Sequence, residues 1–363
     1  MNARTVEILD TTLRDGVQSA GVVFSLEDKI KLVRALDSLG VRYIEAGNPF
    51  SNPKDAELFR FARDKLKLKN ARLAAFGMTR RPGAAAEDDP GLRAILDSGA
   101  HIASIVGKSC AFQVREVLGK TLEENLRMIE DTVRFLTESG MAVFFDAEHF
   151  FDGYSDDPDY ALETLRAAER GGAERLVLCD TNGGTLPGAV AGAVKRAVAE
   201  FRTPIAIHCH NDAGLATAAT LLAVEAGAMQ VQGTINGYGE RCGNANLCEV
   251  IPNLELKMGL RALPEGSLPE LLSIARFISE LANLNMDEAM PYVGHNAFAH
   301  KGGMHIDGVL KNRRSFEHID PALVGNRRRL LISEVAGRSA LLTRLEKLAP
   351  ELNRDSEETV RIL

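Results

Sequence analysis

The sequence predicts a (β/α)8 barrel followed by a smaller helical and loop region. Short apolar runs recur at about thirty-residue spacing, each followed by a helical stretch, which is the length of one βα unit. Eight such units occupy residues 1–260, enough to close a barrel rather than build an open doubly wound sheet. The rival, a Rossmann-like sheet, calls for Gly-x-Gly-x-x-Gly after the first strand; Thr11-Thr12-Leu13-Arg14-Asp15-Gly16 stands there instead.

Val6-Glu7-Ile8-Leu9 reads as strand one. Ser25-Leu26-Glu27-Asp28 resembles a capping box and opens a helix through Leu39, closed by Gly40. Val41 to Ile44 is strand two, and a helix follows Pro53. Ala71 to Phe76 and His101 to Val106 are strands three and four. Thr121 starts a long amphipathic helix that ends at Gly140. Met141 to Phe145 and Arg175 to Cys179 are strands five and six. Thr203-Pro204-Ile205-Ala206-Ile207, an apolar run opened by proline, leads into strand seven, and Met229 to Thr234 is strand eight. After Gly259 the rhythm stops. Leu268 to Leu284 and Ser333 to Leu348 read as helices, and residues 261–363 form a separate region outside the barrel.

With 45% hydrophobic and 26% charged residues, the 363-residue chain can bury a sizeable core. A net charge of -7 argues against nucleic acid and anionic membranes as partners. No apolar run approaches the ~20 residues that span a bilayer, and Met1 to Thr5 run straight into a strand rather than a signal peptide. Five cysteines with no Cys-x-x-Cys pair fit a reducing cytoplasm.

The chemistry gathers at strand ends. In His208-Cys209-His210, residues two apart on a strand project to the same side, so the two imidazoles make a metal half-site. Barrel catalysts sit at the carboxyl ends of strands. Those ends also carry Arg14 and Asp15, Asp146 and Glu148, Asp180 to Asn182, and Gly237 to Asn244. One carboxylate and two imidazoles make a divalent-cation shell with open positions. Asp15, His208 and His210 are therefore the expected ligands, with Asn244 a further ligand or a neighbour of the shell. Zinc, manganese, cobalt and magnesium all suit such a set.

Two stretches resemble a known family. Leu13-Arg14-Asp15-Gly16-Val17-Gln18, with Lys29, and Ile207-His208-Cys209-His210-Asn211-Asp212-Ala213-Gly214-Leu215-Ala216 are similar to the two signatures of the 2-isopropylmalate, homocitrate and citramalate synthases. Asp146 to Tyr154, Gly233 to Arg241 and Ala299 to His305 most resemble the citramalate synthase branch. The resemblance implies condensation of acetyl-CoA with a short 2-oxo acid, pyruvate for that branch, followed by thioester hydrolysis. It implies that Arg14 stabilises the developing oxygen charge, Glu148 moves a proton, and Thr181 binds the oxo acid with Arg14, Asp15 and His208. It also implies a homodimer with shared active sites, in which His305 with Asp307 comes from the partner. A carboxylate two residues from His305 is expected to raise its basicity.

Competing readings stay open. Arg14 and Asp15 form a simple ion pair, Glu148 serves as a structural partner of Arg14, or His305 is an interface residue. A synthase for another oxo acid, or a retro-aldol lyase or decarboxylase, uses the same kind of metal barrel. Departures from the branch are Cys110-Ala111 where tryptophan and aspartate are usual, Asn48-Pro49-Phe50, and Phe316 for a tyrosine. The Cys110 loop is expected to face the barrel mouth. The family's carboxyl-terminal regulatory domain is expected to be absent. Arg313-Arg314 and Arg327-Arg328-Arg329 are candidates for the phosphates of CoA.

Overall fold

The structure, a computed structural model, describes residues 4–331 and Glu357. Eight parallel strands close into a barrel in sequence order. They are β1 (Glu7–Asp10), β2 (Tyr43–Gly47), β3 (Arg72–Met78), β4 (Ile102–Lys108), β5 (Ala142–Glu148), β6 (Arg175–Asp180), β7 (Ile205–Cys209) and β8 (Gln230–Gly233). Pairing of Glu7 to Asp10 with Gln230 to Gly233 seals the seam. The interior is a packed layer of Leu9, Tyr43, Ala74, Ile102, Phe144, Val177 and Ala206. Tyr43 and Phe144 meet edge to face with centroids 5.1 Å apart.

Helices α1 (Leu26–Leu39), α2 (Pro53–Lys65), α3 (Pro90–Ser98) and α4 (Leu122–Glu138) follow the first four strands. Next come α5 (Phe150–Asp156), α6 (Pro158–Gly171), α7 (Pro187–Glu200), α8 (Ala216–Glu225) and α9 (Leu247–Pro252). Local chemistry sets their ends. Ser25 and Asp28 exchange both hydrogen bonds of a capping box on α1, and Gly40 closes the helix in the left-handed conformation. Thr121 caps α4 and Asp157 caps α6.

The chain divides into two compact units. The first comprises residues 1–267 and 274–284; the second takes in Leu268–Ser273 and the described residues from Asn285 onward. The expected break at residue 260 is therefore displaced. Most of α10 (Leu271–Leu281) belongs with the barrel unit, and Asn236 of the loop after β8 donates to its Ala275 carbonyl at 2.8 Å. An amphipathic helix with no following strand reads as an appendage in sequence, although its apolar face serves the barrel. The second unit holds a two-stranded parallel pair, β9 (Ala299–His300) with β10 (Arg329–Leu330), and α11 (Gly303–Lys311). The helix expected over Ser333 to Leu348 lies outside the described residues. No described helix is long and apolar enough to cross a membrane.

Candidate metal centre and active site

β7 carries His208, His210 follows directly on its end, and the turn after β1 brings Asp15 to them. Asp15 Oδ2 lies 3.3 Å from His208 Nε2 and 3.8 Å from His210 Nε2. One ligand atom from each of the three can be chosen so that all lie within 4.8 Å of one another, and all three residues are buried. The loop after β8 folds back on β7 through an antiparallel bridge, His210 to Asn244, which sets Asn244 beside the triad. Gly243 permits that fold. Its φ is +85°, and a Cβ there would sit 2.0 Å from the Gly237 carbonyl oxygen.

The tautomer of His208 is fixed from behind. Gln232 Nε2 donates to Asp146 Oδ1 at 3.2 Å, so the Gln232 carbonyl oxygen accepts from His208 Nδ1 at 2.9 Å. The Nε2 lone pair of His208 then faces the Asp15 carboxylate. Two such acceptors need a cation between them, a proton in the free protein or a metal ion. Asp15 Oδ1, His210 Nδ1 and both amide atoms of Asn244 are buried without a hydrogen-bond partner. These orphaned atoms fit a divalent ion. Burial opposes ionisation of Asp15, yet Arg14 and then His208 hold its carboxyl well below the usual carboxylate range. Burial, and then the neighbouring His208, push His210 down to about 4, so its ring is neutral and able to ligate.

Arg14 sits over the Phe76 ring, 4.1 Å from its centroid, and its Nε donates to Glu45 at 2.6 Å. Its Nη1 is 3.6 Å from Asp15. Although burial would lower it, Glu45 and Asp15 hold the guanidinium above its ordinary pKa. Burial, then Glu45, raise Asp146 to about 7. Glu148 ends β5 and pairs with Lys108 Nζ at 2.7 Å, not with Arg14. The Thr181 hydroxyl oxygen accepts from the His149 backbone N–H at 2.8 Å, which leaves its own hydrogen to donate. Arg241 clasps Asp212 at 2.8 Å and the Thr181 carbonyl at 2.7 Å. Arg14, Lys108, Asp146, Glu148, Thr181 and Arg241 line a mouth cavity of about 360 Å³ with an apolar wall of Phe76, Met78 and Val106. A second, more apolar cavity of about 350 Å³ adjoins it and shares Met78, Val106, Lys108 and Glu148.

Residues 5–278 match the HMGL-like family, and residues 292–362 match the homocitrate synthase post-HMGL domain-like family. The chain belongs to the HMGL-like family. It is 49% identical to an (R)-citramalate synthase of Aquifex aeolicus over 99% of this chain and 68% of that protein. It is 48% identical to the (R)-citramalate synthase of Sulfolobus acidocaldarius over 98% and 68%. The barrel is similar in fold to the HMG-CoA lyase of Bacillus subtilis. The TM-score is 0.66 at 22% identity, covering 79% of this chain and 97% of that one.

His305 and Asp307 are in the second unit, on α11. They do not pair. Residues two apart on a helix point to different sides, and Asp307 binds Lys311 at 2.6 Å while His305 stacks on Phe316 with centroids 4.1 Å apart. The loop expected at the mouth turns inward instead. Cys110 is 3% exposed, and Ala111 packs with Val114 and Tyr160. Lys108, two residues before Cys110, is the side chain that reaches the cavity. Arg328 clasps the buried Glu317, which also meets His300 at 3.1 Å, and Arg313 pairs with Asp320. Those two guanidinium groups are therefore already engaged by carboxylates, as a free phosphate site would not be. Glu45, Lys108 and Gln232 were not expected at the site. Their only sequence signal is a polar residue within, or at the end of, a short strand.

Proposed function

We propose that the chain is a citramalate synthase: a metal-dependent acyltransferase that condenses acetyl-CoA with pyruvate and hydrolyses the thioester to release CoA. The observation that carries this reading is the buried Asp15, His208 and His210 triad beside Arg14, in a cavity that also holds a half-buried carboxylate, Glu148. Identity to citramalate synthases over nearly the whole chain supports the substrate pair.

Asp15, His208 and His210 would hold the cation, with Asn244 beside them. A divalent ion bound there supplies Lewis-acid polarisation of the keto oxygen. Thr181 donates its hydroxyl hydrogen to the oxo acid carboxylate, since its oxygen is already occupied by the His149 N–H. The methyl of pyruvate meets the wall of Phe76, Met78 and Val106. Glu148 removes a proton from the thioester methyl, a very weak acid that needs a positioned base. The carbanion attacks the keto carbon, and Arg14, fixed by Glu45 and Phe76, stabilises the negative oxygen that develops. The adjoining apolar cavity suits the arm of the thioester donor. The second unit supplies His305 to the site of a partner subunit in a cytoplasmic homodimer.

Free-thiol release from acetyl-CoA with pyruvate, 2-oxoisovalerate and 2-oxoglutarate tests the reading. Release with pyruvate, abolished by chelator and restored by manganese or zinc, is expected. Release with a bulkier acid and none with pyruvate would assign the chain to a different synthase.

A further inference from the structure

Lys108 and Glu148 are register partners at the ends of β4 and β5. Their side chains are 19% and 26% exposed and meet at 2.7 Å. Both line the mouth cavity and the adjoining apolar cavity. Other cations lining these cavities have partners of their own: Arg14 meets Glu45 and Asp15, Arg241 meets Asp212, Arg80 meets Glu124 and Asp131, and Arg81 sits over the Phe50 ring, 5.7 Å from its centroid. Among the described residues, Lys108 has one ion-pair partner, and that partner is the carboxylate the reaction would protonate.

We propose that Lys108 is a catalytic residue that transfers its electrostatic support from Glu148 to the enolate. This rests on the thioester reading given above. When a methyl C–H bond of the thioester breaks, the proton goes to a Glu148 carboxylate oxygen. The electron pair of that bond spreads onto the thioester oxygen. Negative charge thus leaves one oxygen beside the ammonium and appears on another, while Lys108 stays protonated and turns its hydrogen bond to the new anion. The pair holds the base in place beforehand and stabilises its product afterwards, with no uncompensated charge in a partly buried site.

Replacing Lys108 with Met or Gln should lower kcat by about 10²–10³-fold, the cost of removing one donor from a developing oxyanion. The KM for pyruvate should stay within about twofold, because the groups assigned to that acid are Thr181, Arg14 and the three candidate ligands, and the charge Lys108 is assigned to stabilise develops on the thioester. Lys108→Arg, which keeps the cation, should recover at least about tenfold of the loss. If Lys108→Met does not fold, Lys108→Gln carries the same expectation. A kcat within about threefold of wild type in both neutral variants, or a loss expressed wholly in the KM for pyruvate, overturns the proposal. Absence of thiol release by the wild-type protein would instead remove the thioester reading, so the two failures are separable.

Discussion

At the residue scale, the expected ligands were readable because their signal is local. His-x-His in one strand places both rings on one side whatever the rest of the fold does. The groups that aim those ligands left no such mark. Gln232 is one of two glutamines in the four-residue β8, and only the pairing of β7 with β8 sets it beside His208, register to register. Glu45 is likewise fully buried against Arg14, from a strand that sequence pattern ends at Ile44. Support of this kind has a measurable weight. Gln232→Leu leaves the three ligands intact and removes the acceptor for His208 Nδ1–H. Manganese affinity measured by calorimetry should fall by about 10–100-fold, and an unchanged affinity would show that His208 needs no such anchor.

At the element scale, the starts of helices were legible and the ends of strands were not. Ser25 and Asp28 announce α1 because the capping chemistry lies within four residues. Strands two to five extend two or three residues beyond their apolar runs: Glu45, Lys108, Asp146 and Glu148 are polar and yet remain in the ladder. They are polar because they face the mouth, so hydrophobic pattern stops where function begins. A second polar device ties the early loops together. Buried Lys29, on α1, pairs with Asp55 on α2 and donates to the Leu13 carbonyl at 3.0 Å, next to Arg14. Asp55 also accepts the Asn48 N–H at 3.0 Å, and Gly47 leaves room for it, since a Cβ there would lie 2.2 Å from Asp55 Oδ2. Lys29→Met strands a buried carboxylate and should cost about 3–5 kcal/mol in urea unfolding. A cost below about 1 kcal/mol would mean the pair contributes little.

At the scale of the whole molecule, the (β/α)8 barrel followed from the repeat length alone, because eight βα units in order can close on themselves. The boundary of the second unit did not follow. Nothing local distinguishes an amphipathic helix that completes a barrel unit from one that leaves it, and α10 does the former. Sharing of active sites between subunits is an assembly property with its own test. Glu148→Gln and His305→Ala variants, each inactive alone, should recover about a quarter of wild-type activity when subunits are exchanged at equal amounts, since half the dimers are mixed and each has one intact site. No recovery would place His305 outside the partner's site.

The central claim is that one divalent ion is held by Asp15, His208 and His210. Anomalous diffraction from crystals soaked in manganese tests it most directly. The account predicts a single strong peak about 2.0–2.3 Å from an oxygen of Asp15 and a ring nitrogen of each histidine. Manganese bound elsewhere, with no peak among those three side chains, would contradict it.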